Sequence, residues 1–426
     1  MGELTKLGAA MRSFVLSFLI LCLNFPAVGG QLGSITDNGP VGKYEKFELT
    51  FHLDQTYSNP FDPAQIDVTT VFTAPSGAPS TLKGFYYQDY IRTGGLQSEV
   101  LTPLGDPVWK VRFAPNQVGV WTYNLQATDK SGTSRAPQGS FQVKASGNRG
   151  FVRVSAKDPD YFAFDNGDPY FPIGENMGWG NKGRTFDYDK WLTSLVAVGG
   201  NYIRMWQAPW HTEIEWADSY DSTTRLPGDY SDRLKQAWEL DYILELCQKK
   251  NIRMLLCLIN HGKFSSTTNP NWDANPYNKK ANPKGGFLDV PDQFWTSPQA
   301  QKFIQRNWRY LVARYAHYTS LESWEIFNEM EWTDHYSDHV ADSVEAMVQR
   351  LAAGVAPGGS LFMVGHRPID PTTGAETAAA DQLQVSVDTV TAALDPTRWT
   401  FLIAEDRPRP MAGTGVDAVI SARRHS

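Results

Sequence analysis

Between residues 170 and 327 the sequence alternates short apolar, β-branched runs with long segments of helical period, and no other feature narrows the fold as much. Residues 170–174, 201–206, 252–259 and 323–327 read as strands one to four. Residues 188–198, 234–249 and 298–317 read as the helices between them. Strands separated by helices of this length form βαβ units. The right-handed crossover rule then leaves a doubly wound parallel sheet or a barrel.

The residue types at the strand ends select the barrel. Strand two ends on Arg204 and Trp206, strand three runs into His261, and strand four breaks into Asn328-Glu329, with Trp332 just beyond. Barrel enzymes carry their chemistry at this C-terminal edge. An apolar strand breaking into Asn-Glu, with Arg and His at the two preceding strand ends, resembles the clan A glycoside hydrolases, the cellulase-like TIM barrels. The resemblance implies that Glu329 is the general acid/base, that Asn328 holds the sugar 2-hydroxyl, and that Arg204 and His261 flank the reacting carboxylates. A guanidinium such as that of Arg204 can hold an ionised carboxylate through two parallel hydrogen bonds. Trp206, Trp210, Trp272, Tyr277 and Trp332 are candidate stacking platforms for sugar rings, and the first three tryptophans are expected in the cleft rather than the core. Glu175, Glu213 and Glu215 read as solvated loop carboxylates. No cofactor and no metal is expected.

Upstream, residues 31–148 form short alternating runs punctuated by Pro, Gly, Asn and Asp, the pattern of an antiparallel β-sandwich. The segment resembles the immunoglobulin-like domain of unknown function that precedes barrels in secreted bacterial glycosidases, most clearly at residues 115–125. It carries no catalytic residue, and either binds substrate or a partner, or covers one side of the barrel. Residues 1–30 read as a signal peptide: Lys6 and Arg12, an apolar run over 14–25 too short to span a bilayer, then Pro26 and small residues. A mature chain beginning near Gln31 is expected to be secreted or periplasmic, with no membrane attachment after cleavage. A formal charge of -7 argues against nucleic acid, whose binding depends on basic contacts, so the expected partner is carbohydrate. The two cysteines beyond that segment, Cys247 and Cys257, suit buried thiols better than a disulfide framework or a zinc site.

Beyond residue 340 the character of the chain changes. No Lys follows Lys302, and Trp399 is the one Trp after Trp332. The runs 347–368, 385–396, 399–410 and 415–424 resemble the last third of a class I S-adenosylmethionine-dependent methyltransferase, in which an APGG turn precedes strand five and strands six and seven close the sheet as a hairpin. The glycine-rich cofactor loop of that family is missing. The expected fold class is therefore multidomain: an all-β sandwich (31–148), the first four βα units of a TIM barrel (149–340), and an α/β methyltransferase-like tail (341–426), fused somewhere within residues 334–351. A tail of this kind would not complete the barrel, and the retaining nucleophile would be absent. The alternative is a shortened barrel in which Glu405 serves as nucleophile.

Overall fold

The computed structural model describes residues 30–216, 226–336, 344–367, 385–409 and 415–425. The expected signal peptide falls almost wholly outside them, as does the middle of the expected junction, residues 337–343.

The N-terminal part consists of two sheets over a shared core. One runs in the order Thr36–Asp37, Phe47–Phe51, Ser98–Phe113, Phe85–Gly95, and the other in the order Val41–Gly42, Gly139–Lys144, Gly119–Asp129, Ile66–Thr73, Pro79–Lys83. Every second residue of Ile66–Thr73 is buried, as period-two alternation requires of a half-covered strand. Phe47, Leu49 and Val111 of the first sheet meet Phe72, Trp121 and Val143 of the second.

A second sheet system supplies the frame of the candidate site. Strands β1 (Gly174–Asn176), β2 (Tyr202–Trp206), β3 (Arg253–Cys257) and β4 (Leu321–Glu325) form a curled four-stranded parallel sheet in sequence order. Helices α1 (Thr185–Ala197), α2 (Leu234–Lys249) and α3 (Pro298–Tyr315) connect them. Ser297 caps α3 by accepting the Ala300 N–H at 3.3 Å, and Pro298 fills its first turn, where a missing N–H costs nothing. Ile203, Met205, Met254 and Leu256 point to the helices and are fully buried. Their alternates, Tyr202, Arg204, Trp206, Leu255 and Glu325, occupy the concave face and stay partly exposed.

The first strand begins later than its sequence suggests. Tyr170 belongs to a small antiparallel sheet, Val152–Val154, Phe162–Phe164 and Pro169–Tyr170, whereas β1 starts at Gly174. Pro172 lies between them, and a proline without an N–H cannot carry a ladder hydrogen bond through. Glu175 is therefore a strand residue, which corrects the expectation of a loop position, while its carboxylate is exposed as expected. It pairs with Ile203, so alternation turns it toward α1 and away from Arg204.

The N-terminal sheets lie directly on α2 and α3. Phe85, Tyr87 and Tyr90 belong to the same buried cluster as Leu240, Leu244 and Tyr310. At the centre, Asp241 accepts from Arg112 at 2.6 Å and from Arg314 at 2.7 and 2.9 Å, and the Tyr318 hydroxyl adds a bond of 3.2 Å. Arg112 also pairs with Glu48 at 2.7 Å. Burial pushes the Glu48 carboxyl up, but Arg112, Lys110 and Lys46 together pull it down further, to about 2. A carboxyl depressed on folding adds stability above its unfolded pKa and loses it as pH falls toward the folded value. Glu48 should therefore contribute on the order of 2–3 kcal/mol above pH 4.5 that disappears toward pH 2. Urea titrations across that range should show Glu48→Gln with a flatter pH dependence than the parent; parallel curves would refute the assignment.

The C-terminal part is a separate sheet. Strand β5 (Ser360–Arg367), preceded by α4 (Val344–Gly354), pairs antiparallel with β7 (Val416–Arg424). The same β7 pairs antiparallel with β6 (Trp399–Pro408), which follows the short helix α5 (Val387–Ala393). Val348, Leu361, Val390, Trp399 and Ile420 make its own core. Among the described residues none of its strands joins the parallel sheet. Also among them, no helix is long and apolar enough to cross a membrane.

Candidate active site

The site lies at the C-terminal ends of β2, β3 and β4. Beyond β4 the backbone continues as a single parallel bridge between Asn260 and Asn328, with the Asn328 N–H donating to the Ile259 carbonyl at 2.8 Å. This bond carries the chain end of β4 level with the end of β3. Glu329 then adopts a left-handed conformation (φ 50°, ψ 46°), unfavourable for a residue with a Cβ, and swings its carboxylate out of the sheet. The Glu329 side chain is half exposed, and its Oε2 lies 3.2 Å from Nδ1 of the buried His261. His261 opens a 3-10 turn, His261–Phe264, directly after β3, and its Nε2 is 3.5 Å from the Asn269 amide.

Arg204 pairs with a carboxylate that the motif reading missed. Its Nε donates to Glu325 Oε2 at 2.7 Å and its Nη2 to Oε1 at 2.6 Å, the two-bond geometry of a fixed ion pair. The same Nη2 donates to the Asn328 side-chain oxygen. With Oδ1 engaged, the Asn328 amide has a settled orientation, and its buried Nδ2 is left without a hydrogen-bond partner. A glutamate in the middle of the apolar run 323–327, on the face of Ser323 and opposite Trp324, was the available sequence signal for Glu325.

A cleft of about 740 Å³ opens in front of this group, lined by Arg204, Trp206, Glu329, Asn176 and Trp179, and continues past the β1 edge to Trp191 on α1. Trp206 flanks Arg204, whose guanidinium carbon lies 5.5 Å from the ring centre. Trp179 packs against both Trp206 (5.6 Å) and Trp210 (5.0 Å, rings perpendicular), so these three indoles form one aromatic wall. Trp179 was not among the sequence candidates, although it stands in a loop immediately after a strand. Trp332 is 48% exposed on the turn after Glu329, its N–H bonded to the Glu329 carbonyl at 3.0 Å.

Trp272 and Tyr277 do not meet the expectation of stacking platforms. They are 7% and 2% exposed, and Tyr277 packs on Phe264, Phe287 and Phe303. The loop folds back onto the start of α3, and its aromatic residues join the main buried cluster instead of overhanging the cleft. Glu213 and Glu215 likewise are not solvated. They are 2% and 7% exposed, Glu213 pairs with buried Lys263, and Glu215 accepts the Gly228 N–H at 2.7 Å. Lys263 supplies the buried counter-charge that periodicity alone could not reveal. Glu405 lies on β6 opposite Val419, exposed and paired with Arg407 at 2.6 Å, in the antiparallel sheet. Cys247 and Cys257 are buried free thiols. Among the described residues no group of three His, Cys, Asp or Glu side chains could hold a metal ion.

Residues 40–128 match the family model of a domain of unknown function, DUF5060. No curated protein matches the chain. The solved structures it is similar to are glycoside hydrolases. They include a candidate glycoside hydrolase from Bacteroides vulgatus ATCC 8482, at 19% identity and a TM-score of 0.49, over 71% of this chain and 53% of that one. They also include an endo-1,4-β-mannanase from Rhizomucor miehei (19%, TM-score 0.31, 48% and 56%) and a β-mannanase from the blue mussel Mytilus edulis (18%, 0.29, 43% and 47%). The chain spans about half the length of each.

Proposed function

We propose that residues 149–340 carry the acid/base half of a retaining glycoside hydrolase of clan A, built on the first four βα units of a TIM barrel and acting on a polysaccharide. The observation that carries this reading is Glu329 at a parallel strand end, 3.2 Å from His261 and next to an Asn328 amide oriented by Arg204. In this role Glu329 protonates the leaving oxygen and then takes a proton from the attacking water, while Asn328 Nδ2 donates to the sugar 2-hydroxyl. Arg204 and Glu325 hold Asn328 in place. The N-terminal sandwich braces the helices, the leader directs the chain to the periplasm or outside, and the tail from 341 is a methyltransferase-like fragment fused to the barrel. The β6–β7 hairpin with β5 beside β7 agrees with that last assignment.

One observation favours a second reading, a carbohydrate-binding remnant without turnover: Glu405 stands in another sheet, paired with Arg407. A single experiment separates the two. An aryl glycoside whose leaving group is poor enough to need protonation is incubated with the purified chain and sodium azide, which can occupy the place of a missing carboxylate nucleophile. Formation of a glycosyl azide by the parent, falling about 10²–10⁴-fold in Glu329→Gln for a poor leaving group, is the expected result. Oligosaccharide binding without azide product would establish the binding remnant instead.

A further inference from the structure

We infer that the tip of the N-terminal hairpin completes an oligosaccharide subsite beyond the Glu329 cleft, so that the sandwich takes part in recognising a long carbohydrate chain. The inference rests on the glycosidase reading of that cleft and extends it. A second hollow of about 660 Å³ adjoins the first, with Trp179 lining both. Its walls come from two parts of the chain: Leu96 and Gln97 from the turn between Phe85–Gly95 and Ser98–Phe113, and Trp179, Asn181, Lys182 and Trp210 from the loops after β1 and β2. Aromatic faces beside amides suit a sugar, whose C–H face stacks while its hydroxyls need donors and acceptors. Among the described residues no carboxylate lines this hollow, and Lys182 is its one charged group.

The hairpin is held to the barrel side firmly enough to form a built wall. Arg92 bridges Glu99 at 3.0 Å and Asp189 at 2.6 Å, and its guanidinium lies 3.3 Å from the centre of the Phe186 ring. Buried Glu99 accepts from Thr185. Arg184 pairs with Glu239 through two bonds and donates to the carbonyls of Trp210 (3.3 Å) and His211 (3.1 Å). One ionic network thus fixes α1 and the Trp210 loop, and Thr185 and Arg92 tie the hairpin to the same frame. Gly183 permits the close approach, since a Cβ there would lie 2.9 Å from the Leu96 Cα. Leu96, Gln97, Asn181 and Lys182 remain exposed and unneeded for packing.

The test is a chain-length series read by calorimetry. Tri- and hexasaccharides of β-1,4-mannan, cellulose, xylan and alginate are titrated into the full chain and into Gln97→Ala, Trp210→Ala and Asn328→Ala. For at least one backbone the hexasaccharide should bind about tenfold or more tightly than the trisaccharide. Gln97→Ala should erase that difference while leaving the trisaccharide unchanged, Trp210→Ala should lower the affinity for the hexasaccharide more than for the trisaccharide, and Asn328→Ala should weaken both. Gln97 is on an exposed turn, so its variant tests the wall without risk to the fold. A trisaccharide that binds, with no gain for the hexasaccharide or with a gain insensitive to Gln97 and Trp210, overturns the subsite and leaves the cleft standing. No binding by any member of the panel overturns both.

Discussion

Replacing Asp241 by alanine is expected to lower the unfolding free energy by about 3–5 kcal/mol, because it strands two buried guanidinium groups rather than removing one contact. Arg314 is fully buried and Arg112 nearly so, and both direct their charge at this carboxylate. Arg112 keeps Glu48 as a second partner, but among the described residues the one other side chain that Arg314 donates to is the Tyr310 hydroxyl, at 2.7 Å. Asp241→Leu combined with Arg314→Met should recover much of the loss, since an apolar pair of similar volume avoids the cost of burying charge. Urea denaturation of the three proteins measures this. A loss below about 1 kcal/mol for Asp241→Ala would mean that water reaches the arginines and that the sandwich is not bonded to α2 and α3 through a dry interface.

Without an added nucleophile, the purified chain is expected to release aryl leaving groups at the rate of the buffer blank, and Glu405→Gln should change nothing. Retention needs two carboxyl groups about 5–5.5 Å apart across the anomeric carbon. Glu329 can supply one. Glu325 is engaged by Arg204 through both oxygens, Glu175 lines the cleft only from the α1 side of the β1 edge, and Glu213 and Glu215 are buried under Lys263 and the Gly228 N–H. Glu405 is bound to Arg407 in an antiparallel sheet whose core is separate. A chromogenic assay that finds enzyme-like turnover, abolished in Glu329→Gln and in Glu405→Gln alike, would establish Glu405 as the nucleophile and remove the fusion proposal. Turnover lost in Glu325→Gln but kept in Arg204→Ala would instead point to Glu325.

What the sequence determined by itself was local in origin. Helical period over residues 234–249 and 298–317, and apolar runs at 201–206, 252–259 and 323–327, lie within a few residues of the observed elements, because one face of each must be buried wherever the chain places it. Arg204, His261, Asn328 and Glu329 could be read as a group because strand ends in a parallel sheet share one edge. The tertiary structure alone decided which of these touch. Arg204 chose Glu325, four residues before Glu329, because the β3–β4 register sets Glu325 beside Cys257 on the concave face, and no spacing rule encodes that register. Trp272 and Tyr277 went to a core while Trp179 went to the wall, since a loop tryptophan has no period to say which way it turns. The same holds for Glu213 and Lys263, fifty residues apart in sequence, whose burial depends on each finding the other. Long-range partnership is what a one-dimensional pattern leaves open, and here it separates the residues that can meet a sugar from those that hold the frame.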